Sequence, residues 1–315
     1  MNTIIYTMYI MSMYFDNKEL FAGPKVSQYG SHMVMTNVTK TPKMKYVNID
    51  TKFRDEYNTD FTTDYNISLP ERITDVRSIS VVNMEIPNTF FNISKNLGNN
   101  AMKITSSGTT EILVVRDGNY NETSLLVELN ARKTELGTPF TNLVFDVSFN
   151  KITVTPSTGT FDFDFGVDSN GAFTKYNFKS RLGWLLGFRN QKYTGVASGS
   201  TLTSEYFYSL TGPRYLYLVV DEFTSNGNPN SFTAPLPSSA ISKNILARIS
   251  LDNAVYPFMQ VIPANKSNGY LLSDVRSYTG KVDIQKLNVQ LVNENGTAMN
   301  LNGADFSFCL QIEYE

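Results

Sequence analysis

The chain has 315 residues, with 27 Lys and Arg against 29 Asp and Glu, a formal net charge of −2, one cysteine and one histidine. The balanced charge argues against a protein whose main business is binding nucleic acid, which needs a basic footprint, and a single cysteine rules out a scaffold stapled by internal disulfides. The 21 Phe and 18 Tyr beside one Trp, with many Thr, Ser, Val and Ile, favour strands over helices, and a chain near this length hides roughly 75% of the surface its unfolded form exposes, enough for a substantial core.

Residues 1 to 44 read as an arm: Met-rich and polar, broken by Gly23-Pro24 and Thr41-Pro42, and without a sustained period. Its apolar start (Ile4, Ile5, Tyr6, Met8, Tyr9, Ile10) lacks the basic flank and cleavage site of a signal peptide and is too short to span a bilayer, so the protein reads as cytosolic in origin. The arm is expected either as a poorly ordered tail or as one that orders against a neighbouring subunit, which would cover those side chains. The body, 45 to 315, reads as strands at Lys45–Asp50, Phe61–Leu69 and Val76–Ile86, then a hairpin of Ala101–Thr105 and Thr110–Arg116 turning through Ser106-Ser107-Gly108. One helix is predicted over Asn121–Glu135 from Leu125, Leu126, Leu129 and Leu136, with Asn121, Thr123 and Ser124 as caps and Gly137 and Pro139 as the stop. Strands resume at Asn142–Ser148 and Lys151–Thr155 around a Phe149-Asn150 turn, and Phe161 to Phe165 alternates Phe with Asp. Arg181–Phe188 is apolar, carries Gly183 and Gly187, and fits either a short helix or a strand. Residues 194–212 and 224–244 are expected as long loop insertions, around a buried strand at Arg214–Phe223. Ile245–Leu251, Tyr256–Ile262, Lys281–Val292 and Ala304–Tyr314 complete roughly eleven strands; a change of parity between Ile284 and Leu287 predicts a bulge. The class expected is all-β: an antiparallel β-sandwich, a single jelly-roll with one helix and long loop insertions.

Chemistry is sparse. His32 lies in the arm, and with Cys309 it is the whole stock of imidazole and thiol: too few ligands for a zinc site, and a Ser-His-Asp or Cys-His triad would have to recruit its imidazole from the arm. Cys309 sits in an apolar stretch and reads as a small buried hydrophobe. Phosphate-binding glycine motifs are absent. Asp162 and Asp164 share a strand face about 7 Å apart, a spacing open to a glycosidase pair or a hard cation, but the three Phe residues on the other face already account for the alternation. Asp221-Glu222 beside Asn226–Asn230 could hold Ca²⁺, though a solvated strand end explains them as well. Tyr206-Phe207-Tyr208 suits either a sugar platform or a subunit contact. No catalytic, metal or cofactor residue is assigned.

Several stretches in order, Val47 to Asp55 (VNIDTKFRD), Asp64 to Ser94 (DYNISLPERITDVRSISVVNMEIPNTFFNIS), Asp117-Gly118-Asn119-Tyr120, Arg181 to Gly195 (RLGWLLGFRNQKYTG) and RYLYLVVDEF from Arg214, resemble the single jelly-roll penton and minor capsid proteins of nucleocytoplasmic large DNA viruses, in particular the giant algal and amoebal viruses. The resemblance covers Lys45 to Glu315 and implies a structural virion protein. In such a virion it would stand as a homopentamer at an icosahedral vertex, beside major capsid capsomers and minor capsid proteins. It would be made and assembled in host cytoplasm, with no specific nucleic acid partner and with the arm as the part nearest an internal membrane. A closed ring of identical subunits needs a head-to-tail interface, and Trp184, Phe188, Arg189 and Tyr193 are its candidate anchors, with core packing the stronger reading for Trp184 and Phe188. A cement protein beneath the shell, a glycan-binding fibre domain and a jelly-roll hydrolase using Asp162 or Asp164 are the rival readings.

Overall fold

The computed structural model describes residues 26–27, 30–31, 41–57, 61–173, 175–223 and 244–315. Most of the predicted arm, with His32, and most of 224–244 lie outside them. Two short strands, β1 (Val26–Ser27) and β2 (Gly30–Ser31), pair antiparallel. Met44–Tyr314 form one compact unit. It opens with β3 (Lys43–Asp50), a 3-10 turn over Thr51–Phe53 capped by the Asp50 carboxylate, and β4 (Asp64–Pro87). The sequence reading has two strands here, Phe61–Leu69 and Val76–Ile86, with 70–75 between them; the chain runs through as one. Its pairing steps from Ser68 to Ile73 without using Pro70, which has no N–H to give, and a second irregularity sits at Asp75, where φ is +56°.

The segment from Ile93 to Leu210 folds around a core of its own. β5 (Ala101–Ser106) and β6 (Thr109–Val114) form the expected hairpin, with Ser107 and Gly108 both at positive φ, as a two-residue primed turn demands. Helix α1 (Glu122–Glu135) starts on Asn121, whose side chain accepts from the Ser124 N–H while Ser124 Oγ accepts from the Asn121 N–H; Leu125 and Leu129 face the core. β7 (Leu143–Ser148) and β8 (Lys151–Pro156) turn through Phe149 and Asn150, and β9 (Thr160–Asp164) buries Phe161 and Phe163. A second, four-residue helix α2 (Leu182–Leu185) settles the ambiguous stretch, so the single expected helix is joined by a short one. β10 (Lys192–Ala197) and β11 (Leu202–Thr203) give the stretch expected as a loop insertion at 194–212 two short strands. Both are sheet-edge strands with no fully buried side chain; Tyr193, Val196 and Leu202 are half-buried against the core, and a register shift between Tyr193 and Val196 breaks the apolar alternation. They complete two small sheets, β10-β9-β5-β6 and β11-β8-β7.

The chain then returns through β12 (Tyr215–Asp221), β13 (Ile245–Ser250), β14 (Val261–Asn265), β15 (Leu271–Ser273), β16 (Arg276–Val292) and β17 (Ser307–Tyr314). The strand predicted at Tyr256–Ile262 shifts to β14, because Pro257 and the positive φ of Met259 hold the preceding residues in turns. These strands join β3 and β4 in one eight-stranded sheet, β15-β13-β12-β16-β4-β17-β3, with β14 also on β4. The bulge expected between Ile284 and Leu287 is present: β16 slips register against β4 between Ile284 and Lys286. The sheet rolls over so that its distant strands share one core. Leu216, Leu218 and Val220 of β12 and Leu246 and Ile249 of β13 pack in the same cluster as Val81, Met84, Phe308, Leu310 and Ile312. Ser273 Oγ of β15 accepts from the Val81 N–H across it at 3.0 Å. The chain is therefore an all-β antiparallel sandwich of the jelly-roll class, with the Ile93–Leu210 segment packed as a second core.

Candidate subunit-contact surface

The surface is built on α2. Gly183 lies against Phe165: a Cβ there would come 2.4 Å from the Phe165 Cβ, so only glycine lets the helix sit this close. Gly187 ends the helix at φ +92°, and its backbone approaches the Tyr206 carbonyl so closely that a Cβ would come within 2.1 Å. Tyr206 donates its N–H to the Gly187 carbonyl at 3.0 Å. Between these contacts Leu182, Leu186 and Phe188 turn into the core, while Trp184 remains part-exposed.

Arg189 follows and closes the helix end. Its Nη1 donates to the Trp184 and Phe188 carbonyls, both at 3.1 Å. The guanidinium lies over the Trp184 ring at 3.9 Å and near the Tyr206 ring at 4.8 Å, between two π faces. Glu205 fixes the arrangement from below: it accepts from the Arg189 N–H (3.0 Å), Asn190 Nδ2 (3.0 Å) and Tyr193 Oη (2.6 Å). Burial alone would raise the Glu205 carboxyl; the bonds from Tyr193, the backbone and Asn190 outweigh it and hold the group below its ordinary value. Burial and then the bond to Glu205 raise the Tyr193 hydroxyl.

Of the four predicted anchors, Trp184 and Arg189 therefore meet at the surface, and Tyr193 stands behind them, edge-on to Phe165 at 6.0 Å and Phe188 at 5.4 Å. Phe188 follows the core alternative rather than the anchor one: it is 0% exposed and stacked on Phe165 at 4.7 Å. Tyr206 and Phe207 are 60% and 63% exposed, while Tyr208 points its hydroxyl at Glu122, so the Tyr206-Phe207-Tyr208 run does not present a single platform. Sequence reasoning missed Phe149. It is 92% exposed at the β7–β8 turn with φ +51°, and Asn150 beside it accepts from the Tyr208 N–H at 3.2 Å, which sets the turn next to the aromatic run. The signal was in the sequence as Phe-Asn, where a two-residue hairpin favours Asn-Gly.

The other candidates are occupied structurally. Asp162 accepts from the Gly195 N–H at 2.7 Å; Asp164 accepts from the Gly166 N–H at 2.9 Å and lies 3.4 Å from Lys192 Nζ. Both carboxylates thus fasten β9 to its surroundings. Glu222 is buried against Arg276, and Asp221 accepts from the Phe223 N–H; Asn226–Asn230 lie outside the described residues. Burial pushes the Cys309 thiol up. Among the described residues no group of three or more His, Cys, Asp or Glu is placed to hold a metal, and no helix is long and apolar enough to cross a membrane.

No family model matches the chain, and no curated protein matches it. Among solved structures it is similar to the crystal structure of the selenomethionine-labelled mavirus penton protein, at 12% identity over 88% of this chain and 100% of that one, TM-score 0.41. It is also similar to a chain of the 3.5 Å cryo-EM structure of the Sputnik virophage, at 13% identity over 87% of this chain and 98% of that one, TM-score 0.41.

Proposed function

We propose that the chain is a structural, non-catalytic building block of a viral capsid, standing at the icosahedral vertices as a homopentamer beside major and minor capsid proteins. One observation carries this reading beyond the motif resemblance. The Arg189–Trp184–Tyr206 stack, with Phe207 and Phe149 nearby, is a part-exposed aromatic and guanidinium surface held in place by Glu205, Gly183 and Gly187. Aromatic and Arg side chains are the anchors of protein interfaces, and a rigid anchor loses little entropy on contact. A ring closes when this surface meets a different patch of the next copy.

The arm, residues 1–44, is assigned to locking neighbours together and to any approach to an internal membrane. Native mass spectrometry of the full chain tests the assembly: the expected species has five times the 35.4 kDa chain mass. Loss of that species on removing residues 1–44 would make the arm the lock. A full-length monomer that also fails to join capsomers would overturn the vertex role; a monomer that binds beneath them would move the chain to the cement reading.

A further inference from the structure

An open cavity of about 380 Å³ lies where the end of β4, the turn before α1, residues 210–212 and the 253–258 turn converge. Its volume is in the range of small-molecule sites. No lining residue is charged: amides, hydroxyls, aromatic rings and the aliphatic Leu210 and Pro257 make the wall. Asn92 fixes that wall, donating to the Tyr120 and Leu210 carbonyls, both at 2.8 Å, and accepting from the Tyr120 N–H at 2.9 Å. Asn253 ties in Thr211 through its carbonyl at 2.8 Å. Two amides keep unused capacity. Asn88, 3% exposed, spends both Nδ2 protons on Asn253 Oδ1 (2.9 Å) and the Tyr256 carbonyl (2.7 Å), and its Oδ1 accepts from no described residue. Asn119 stands exposed at the rim with a side chain that no described residue bonds. Phe258, stacked on Phe91 at 6.1 Å, and Tyr120 supply ring surface.

These groups select by elimination. An ionic ligand would be stripped of water with no countercharge in the wall, which is costly. A wholly apolar ligand would leave the free amide groups of Asn88 and Asn119 unpaired. A compact neutral ring with hydroxyls on its edge and C–H bonds on its faces satisfies both, since a planar amide can donate and accept at once and an aromatic ring takes the C–H face. We propose that this cavity binds a neutral hexose unit of a glycan, with Asn119 and Asn88 meeting its hydroxyls and Phe258 or Tyr120 its ring face. The site is separate from the Arg189–Trp184 surface and does not rest on the vertex assignment.

Saturation-transfer NMR of the full chain with methyl glucoside, methyl galactoside and methyl mannoside, and with sialic acid and glucuronic acid as charged comparators, tests it. At least one neutral glycoside should give transfer and the two acids should not. Asn119→Ala, an exposed change that spares the fold, should weaken the neutral ligand about tenfold, the loss expected for one or two hydrogen bonds. Val144→Thr, an exposed change on β7 outside the cavity, should leave binding unchanged. Absence of transfer from all three glycosides, equal transfer from the acids, or an Asn119→Ala protein that binds as the parent does would overturn the proposal.

Discussion

At Phe149 the local and the global requirements of the chain conflict. A bulky side chain in the left-handed region costs on the order of 1 kcal/mol, and at 92% exposure Phe149 recovers nothing from its own subunit. Phe149→Asn should therefore stabilise the isolated subunit, by about 0.5–1 kcal/mol in urea unfolding, while weakening assembly. An unchanged or lowered urea midpoint would remove the strain argument. Phe188 and Phe207 make the opposite pair. Phe188→Ala, in the core, should cost about 3–5 kcal/mol. Phe207→Ser, on the surface, should change stability by less than about 0.5 kcal/mol yet loosen subunit contacts, read as a shift from assembly to monomer in sedimentation. At this scale the site was half legible. Trp184 and Arg189 stood out as residue types, but which face of RLGWLLGF turns inward depends on Phe165 and Tyr206, which meet it from elsewhere in the chain.

Elements carried more of their own signal. The bulge in β16 was readable because the parity of apolar residues changes there, and α1 because its cap and its Leu spacing agree. β4 was read as two strands, Phe61–Leu69 and Val76–Ile86, because 70–75 carries no apolar alternation; only the register with β16 reveals that the strand passes through. β10 and β11 escaped the sequence reading because they are edge strands with no fully buried side chain and a register shift between Tyr193 and Val196. The join of β12, β13 and β16 rests on a charge pair that no pattern predicts. Arg276, buried on β16, donates to Glu222 at 2.8 Å and to the Val220 and Asn244 carbonyls, both at 2.8 Å, and the Tyr278 hydroxyl also donates to Glu222. Arg276→Met should destabilise by about 3–5 kcal/mol because it strands the Glu222 carboxylate, and adding Glu222→Leu should recover much of that loss. If the double variant is no more stable than Arg276→Met, the penalty lies elsewhere.

For the whole molecule, the buried tyrosines set an alkaline limit. Burial, then Coulomb repulsion from Asp50, pushes the Tyr65 hydroxyl far above its ordinary value; burial and then Glu222 do the same to Tyr278. Below the unfolded tyrosine pKa of about 10 both states keep these protons, and the stability they confer is present in full. Above it the unfolded chain ionises and the folded one does not, so stability should fall by up to about 1.4 kcal/mol per pH unit for each tyrosine. Urea midpoints followed upward from about pH 9 check this. Tyr65→Phe should flatten the slope, and should cost nothing at neutral pH because the buried Tyr65 hydroxyl has no hydrogen-bond partner among the described residues. A slope that Tyr65→Phe leaves intact would contradict the assignment.

The central claim concerns how copies of this rolled sandwich meet, and the most direct measurement is the rotational symmetry of the purified full-length assembly in electron-microscope images. The account predicts rings with five-fold symmetry. Two-fold or three-fold particles, or a monodisperse monomer that stays single beside capsomers, would contradict it.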